Sequence, residues 1–142
     1  MAAIDAMTSR VVSVRPDDQV QIAIARMLEE NVGSVAVCEE SRLVGIFTER
    51  DVLRLAGEGR DFHEVRVGDV MTRRLFVAEP DDDLTGIAQL MQDKRIRHVP
   101  VVQGDNLLGI LGIREVLRNL LERAWSRQDA GAHDTARELL RR

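Results

Sequence analysis

Two kinds of hydrophobic spacing follow one another along this chain. Between residues 20 and 28 the apolar side chains recur at i, i+3, i+4, i+7 and i+8, and residues 84–91 show most of the same stripe. This spacing places the apolar side chains on one face of a helix. Shorter apolar runs, bounded by polar turn residues, predict strands at 35–38, 43–47, 99–102 and 107–111. The pattern therefore predicts two helices, each followed by a hairpin.

Further elements complete each half of the chain. A short extended piece precedes each helix, at 11–14 and 75–78, and a Pro-Asp-Asp turn follows it. The turn supplies carboxylates at the start of the helix, where they are favourable. A second helix follows each hairpin, at 48–56 and 113–127, and residues 57–61 form the loop between the halves. The order is β-α-β-β-α twice, so the sequence predicts an α+β fold.

The two halves are copies of one sequence. Residues 5–53 align with residues 69–117 without a gap, and 16 of the 49 pairs are identical. Unrelated soluble sequences would give roughly three identities. The repeated segments include Asp-x-Met-Thr, Pro-Asp-Asp, Gly-Ile and Val-Leu. The chain is therefore an internal duplication, with equivalent residues 64 positions apart.

The duplication also predicts how the copies pack. One unit of about 50 residues would be marginal alone. We expect the copies to pack face to face about a pseudo-twofold axis, which makes clefts built from both. The predicted units are residues 1–60, residues 61–123 and a C-terminal helical tail at 124–142. The tail lies outside the repeat, and it either packs against the body or a second copy, or frays.

Composition and charge exclude several classes of protein. The net charge of −4 and the 3% content of aromatic residues argue against a nucleic-acid surface. The sequence has no apolar run long enough to cross a membrane, and it does not begin with the apolar stretch of a secretory signal. The single cysteine, Cys38, excludes an internal disulfide and fits a reducing compartment. We therefore expect a cytoplasmic protein that makes no membrane contact.

Candidate chemistry is sparse. The three histidines, His63, His98 and His133, do not have the spacing of metal ligands, and Cys38 lies inside a predicted strand. The sequence contains no Gly-x-Ser-x-Gly, Walker A or Rossmann motif. We therefore expect a protein that is not an enzyme and that holds neither a metal nor a cofactor.

Two segments carry a family resemblance. The Gly-Ile-Phe-Thr-Glu-Arg-Asp-Val-Leu run at residues 45–53 closes the first copy and resembles the end of a CBS domain. The Arg-His-Val-Pro-Val-Val run at 97–102 is also typical of that family. Over residues 4–121 the two copies in register resemble a Bateman module, the tandem pair of CBS domains, of the stand-alone type. The resemblance implies a non-catalytic sensor of an adenosine-containing ligand, with AMP or ATP as leading candidates, that signals to an unknown protein partner. It also implies a homodimer.

The resemblance implies one principal nucleotide site. It assigns Asp51 to the 2′,3′-diol of the ribose and Thr48 to the ribose or phosphate. The other residues that it brings to this cleft are Ile46, Leu75, Phe76, Arg97, His98 and Arg114. Without the resemblance, Thr48 and Asp51 are a helix capping box, and the two roles are compatible.

The remaining residues of this expected site also have two interpretations, one as ligand contacts and one as structural residues. Leu75 and Phe76 either enclose the adenine or belong to the core of a strand. Arg97 and His98 either contact phosphate, together with Arg114, or are solvated residues at a helix–strand junction.

The second copy departs from the family pattern. Gly112 and Glu115 stand at the positions equivalent to Thr48 and Asp51. Gly112 lacks a hydroxyl, and the Glu115 side chain is one methylene longer than an aspartate. We therefore expect a second, weaker site there. The leading alternative for the whole chain is a ligand-free structural or interaction module with degenerate sites.

Overall fold

The protein is described by a computed structural model that covers residues 1–7 and 11–127. In chain order the elements are α1 (Ala3–Ala6), β1 (Ser13–Val14), α2 (Val20–Glu30), β2 (Ser34–Glu39), β3 (Arg42–Thr48), α3 (Glu49–Gly57), α4 (Val67–Val70), α5 (Leu84–Lys94), β4 (His98–Gln103), β5 (Asn106–Gly112) and α6 (Ile113–Arg127). The strands form one sheet in the order β1-β2-β3-β5-β4. The α+β class is therefore confirmed. The predicted tail beyond residue 127 lies outside the described residues, and each described helix is too short or too polar to span a bilayer.

The two hairpins are copies in register as well as in sequence. Ser34 pairs with Thr48 in the first hairpin, and His98 pairs with Gly112 in the second. The remaining pairs keep the same offset of 64, and each hairpin has its irregularity at the equivalent step. Strands β3 and β5 meet through Arg42 and Asn106, which are themselves equivalent residues. A residue that pairs with its own equivalent lies beside a twofold axis, as the predicted pseudosymmetry requires.

The two hydrophobic cores exchange their leading segments. Ala3 and Ala6 of α1 pack into the core of the second repeat, beside Leu84 and Met91 of α5. The segment around Val67 packs in the equivalent way into the core of the first repeat. The backbone follows the exchange, because the carbonyl of Met1 accepts the N–H of Leu84, as that of Val65 accepts the N–H of Val20. The segment before the first repeat thus packs in the core of the second repeat, and the segment before the second repeat packs in the core of the first.

The extended piece predicted at 75–78 forms less sheet than its counterpart. Strand β1 pairs with β2 over two residues, whereas at 75–78 a single residue, Ala78, bridges to Val101. In the first repeat the N–H of Ala36 donates to the carbonyl of Val12. The residue equivalent to Ala36 is Pro100, which has no N–H to donate.

The Pro-Asp-Asp aspartates close the turns rather than the helix ends. Asp18 Oδ2 accepts the N–H of Arg15 at 2.8 Å, and Asp82 Oδ2 accepts the N–H of Glu79 at the same distance. These carboxylates therefore stabilise the turn that precedes each helix. The prediction that they sit at the helix start is wrong, since Asp18 and Asp82 lie two residues before the first helical residues, Val20 and Leu84.

Helices α2 and α5 each end at a residue in the left-handed conformation. The residues concerned are Asn31, with φ of 53°, and Arg95, with φ of 55°. After this reversal the chain passes directly into β2 or β4. The reversal places residues 32–34 and 96–98 where the two repeats meet.

Candidate functional site

A cleft of about 200 Å³ lies between the two repeats. The first repeat lines it with Val12, Asn31, Val32, Gly33, Ser34 and Glu49. The second repeat lines it with Arg97, His98, Ile110, Gly112, Ile113, Arg114 and Glu115. The cleft is thus built from both copies, as the duplication predicts.

Three basic side chains line the cleft around the start of α6. His98 is the first residue of β4 and pairs with Gly112, while the N–H of Ile113 donates to the carbonyl of Arg97 at 2.8 Å. These bonds hold residues 97 and 98 beside the helix start, and Arg114 lies in the first turn. The N-terminal end of a helix carries free N–H groups and a partial positive charge, so it favours an anion. The arrangement suits a phosphate group.

A glycine leaves room for two titratable side chains to approach the same point inside the cleft. Glu49 Oε1 and His98 Nε2 both lie within 3.3 Å of the position that a Cβ atom on Gly33 would occupy. Any side chain at position 33 would therefore displace one of them. Sequence reasoning missed Glu49, because its equivalent in the second copy is the uncharged Ile113 and the repeat gives no signal for it.

The Glu115 carboxylate lies over Gly112 in the same manner. Its Oε2 atom occupies the space that a Cβ atom on Gly112 would need. The glycine that removes the hydroxyl from this position therefore also makes room for the longer acid. Glu115 reaches back over the start of α6, beside the basic groups.

Burial lowers the pKa of His98 below its ordinary value of 6.5. The carboxylates of Glu49 and Glu115 act in the opposite direction, and Arg97 acts with burial. The imidazole is therefore neutral at pH 7. A neutral imidazole can donate one hydrogen bond to an anion without adding charge to the cleft.

In the first repeat, the position equivalent to Gly112 and Glu115 is closed by hydrogen bonds within the protein. Asp51 is 8% exposed, and its Oδ2 accepts the N–H of Thr48 at 2.9 Å and the Thr48 hydroxyl at 3.3 Å. Its Oδ1 accepts Nη2 of Arg54 at 3.3 Å, and the same Nη2 donates to the carbonyl of Val70. Both oxygens are thus occupied within the protein, so the capping interpretation of Thr48 and Asp51 is confirmed.

The other residues expected beside Asp51 have contacts of their own. The backbone of Ile46 pairs with that of Thr72 through two hydrogen bonds of 3.0 Å. Phe76 is 37% exposed, and Nζ of Lys94 lies 5.4 Å from the centre of its ring. Leu75 is half-buried.

The structure divides the predicted site residues between these two places. Arg97, His98 and Arg114 line the cleft that contains Gly112 and Glu115. The described lining does not include Thr48, Asp51, Ile46, Leu75 or Phe76. The family resemblance instead implies a cleft that holds the basic residues together with Thr48 and Asp51. The role of these five residues in binding a nucleotide stays a prediction.

Two other polar features lie at the surface. An open crevice of about 560 Å³ at the β2–β3 turn is lined by Arg15, Pro16, Asp17, Glu39, Glu40, Ser41 and Arg42. It mixes acids and bases on an exposed turn. Within the described residues, Glu79, Asp81 and Asp82 are close enough together to share a cation, but all three are exposed and Asp82 already bonds the N–H of Glu79.

Comparison with known proteins places the duplication in a family. The sequence model of the CBS domain matches the chain twice, at residues 2–58 and 67–122. The CBS domain-containing protein YhcV of Bacillus subtilis is 35% identical over 129 residues, which span 90% of this chain and 89% of that protein.

Solved structures give the same result. The CBS-domain containing protein ATU1752 from Agrobacterium tumefaciens is 28% identical, with a TM-score of 0.78 over 84% of this chain and 99% of that one. The CBS domain pair of protein MJ0100, in complex with 5′-methylthioadenosine and S-adenosyl-L-methionine, has a TM-score of 0.80. It is 20% identical and covers 87% of this chain and 98% of that one, so the likeness concerns the fold alone.

Proposed function

Because this chain belongs to the CBS-domain family as a tandem pair of CBS domains, we propose that it is a non-catalytic regulatory module whose inter-repeat cleft binds an adenine nucleotide. AMP and ATP are the leading candidates. Neither a metal nor a cofactor is part of the proposal, and the nucleotide acts as a signal rather than as a substrate.

One observation carries the proposal. Arg97, His98 and Arg114 line a cleft made by both repeats, at the N-terminal end of α6. Two guanidinium groups beside a helix start supply charge-assisted hydrogen bonds for phosphate. The compounds bound to the MJ0100 pair are adenosine derivatives without phosphate, so they support the adenosine part of such a ligand.

The other lining residues fit the remaining parts of a nucleotide. The Glu115 carboxylate can accept two hydrogen bonds from the 2′- and 3′-hydroxyls of the ribose. Val12 and Ile110 give the cleft apolar surface for the base. At the Thr48 and Asp51 position, a second diol would have to share Oδ1 of Asp51 with Arg54.

The signal follows from the position of the ligand. A nucleotide that contacts both repeats stabilises the arrangement of the repeats in which both sets of contacts are made. Its effect on a partner is limited by its differential affinity for the available arrangements. The proposal therefore needs no large movement within either repeat.

We also propose a cytoplasmic homodimer with an unidentified protein partner. Leu53 on α3 and Leu117 on α6 are equivalent residues, and they are 74% and 50% exposed. Trp125 on α6 is 49% exposed. Apolar side chains on equivalent helices would give a second copy a symmetric surface to cover.

A second candidate function is a ligand-free interaction module. The bonds that already occupy both oxygens of Asp51 favour it, because they leave the Thr48–Asp51 position with a structural role. The discriminating result is whether any nucleotide binds to the folded protein.

Isothermal titration calorimetry with AMP, ADP, ATP and S-adenosylmethionine tests the proposal. Saturable binding of one ligand per chain is expected, and Glu115→Gln should weaken it about ten- to 150-fold, the equivalent of about 1.5–3 kcal/mol. Asp51→Asn, a matched substitution in the other repeat, should change the affinity less than threefold. Absence of heat with all four compounds, together with an unchanged melting temperature, would support the ligand-free module instead.

A further inference from the structure

We propose that Glu49 makes the cleft selective for a nucleoside monophosphate over the di- and triphosphate. This inference rests on the proposed function, and it specifies the number of phosphates on the ligand. Glu49 is the first residue of α3, so the first repeat supplies it, whereas the second repeat supplies the basic groups.

Glu49 lies among the groups that would contact phosphate. Its Oε1 atom and Nε2 of His98 flank the same point above Gly33, and its charge acts on the titration of His98. Because Gly33 has no side chain, the carboxylate can occupy this position inside the cleft. An anion that bonds to His98 therefore lies close to the carboxylate of Glu49.

The charges of the cleft balance before any ligand enters. Among the described residues that line it, the cations are Arg97 and Arg114, and the anions are Glu49 and Glu115. His98 is neutral at pH 7, because burial holds its pKa below the ordinary value. A single phosphate can pair with the two guanidinium groups. A second or third phosphate adds negative charge, while the lining offers it no further cation.

The size of the cleft limits how much of any nucleotide it can enclose. Its volume of about 200 Å³ is smaller than the ~300–1,000 Å³ of pockets that enclose drug-sized ligands. A nucleotide of any charge is therefore only partly enclosed. The outer phosphates of a triphosphate would lie either in solvent or against the Glu49 carboxylate, where like charges repel.

Calorimetry with AMP, ADP and ATP tests the inference, without divalent cations so that the charge of each ligand is defined. We expect the wild type to bind AMP about tenfold more tightly than ATP, the effect of one like charge in a partly screened site. Glu49→Gln keeps the size of the side chain and removes its charge. It should reduce the ratio below about threefold, mainly by tightening ATP.

Two control variants keep the result specific. Glu58→Gln makes the same change just beyond the other end of α3, where Glu58 pairs with Arg60 outside the cleft, and it should leave the ratio unchanged. Glu49→Asp keeps the charge and should keep the preference for AMP. A ratio that is the same in the wild type and in Glu49→Gln overturns the inference alone. Binding of none of the three nucleotides overturns the proposed function and the inference with it.

Discussion

The starts of α3 and α6 are equivalent positions with different surroundings. At α3 the carboxylate of Asp51 is buried and bonds Thr48 and Arg54. At α6 the carboxylate of Glu115 lies over Gly112 beside an open cleft. The two hairpins have the same backbone register, and the side chains at these positions differ.

The difference shows how equivalent positions in a duplicated fold can take different roles. An aspartate at the third helical position reaches the N–H of the residue before the helix and closes the capping box. A longer acid beside a glycine that lacks a hydroxyl leaves its carboxylate available to a ligand. One copy thus uses this position for stability, and in the function that we propose the other copy uses it for binding.

The largest expected effect concerns the phosphate contacts of the α6 cleft. Arg97→Ala should weaken AMP binding about ten- to 150-fold, because it removes a charge-assisted pair worth about 1.5–3 kcal/mol. Arg123→Ala, on the exposed end of α6, changes the net charge equally and should weaken binding less than twofold. Calorimetric titration of both variants measures the effect. Equal losses would mean that only the overall charge matters.

For the free energy of unfolding, the start of α3 should matter more than the start of α6. Asp51→Ala should lower the free energy of unfolding by about 1–2 kcal/mol, since it removes the cap and the buried acceptor of two bonds from Thr48. Glu115→Ala should change it by less than about 0.5 kcal/mol, as expected for a residue without such bonds. Urea denaturation followed by circular dichroism measures both. Similar losses in the two variants would contradict a structural role for one copy only.

The ends of α2 and α5 allow a second comparison of stability between equivalent positions, with a smaller expected effect. Arg95 has a positive φ that costs a residue with a side chain about 1 kcal/mol, so Arg95→Gly should stabilise the protein by up to about that amount. Asn31 tolerates this conformation better, and Asn31→Gly should gain only a few tenths of a kcal/mol, about the difference between the two residue types. Thermal denaturation compares them. A loss of stability in Arg95→Gly would show that its side chain is needed.

The smallest expected effect is the pH dependence that His98 contributes. Burial lowers the pKa of His98 in the folded state, so the unfolded state binds the proton more readily. Stability should therefore fall as the pH drops below about 6.5, the ordinary value for histidine. His98→Gln should flatten this slope, because it removes the buried imidazole. An unchanged slope in His98→Gln would contradict the burial of a neutral imidazole.

Much of the fold could be predicted from the sequence. The repeat predicted the longer helices and the hairpins in their order, because equivalent segments in both copies have the same hydrophobic spacing. It did not predict the short helices α1 and α4. The extended piece at 75–78 was expected to match 11–14, but the missing N–H of Pro100 reduces it to one bridge. The CBS family and the tandem arrangement, expected from two motifs, are confirmed.

The candidate site was harder to predict. The resemblance indicated which residue types stand at the site positions. It did not indicate which of their atoms already form hydrogen bonds within the protein. It did not indicate that Arg54 occupies one oxygen of Asp51. It also gave no signal for Glu49, whose place in the cleft depends on the missing side chain of Gly33. Both facts come from contacts between residues that hydrophobic spacing does not report.

A crystal structure of the protein with AMP tests the central claim most directly. The account predicts one nucleotide per chain in the inter-repeat cleft, with its phosphate bonded to Arg97 and Arg114 and its ribose hydroxyls bonded to Glu115. The bond between Arg54 and Asp51 should remain. A nucleotide bound at Thr48 and Asp51, with Arg54 displaced and the α6 cleft empty, would contradict the account.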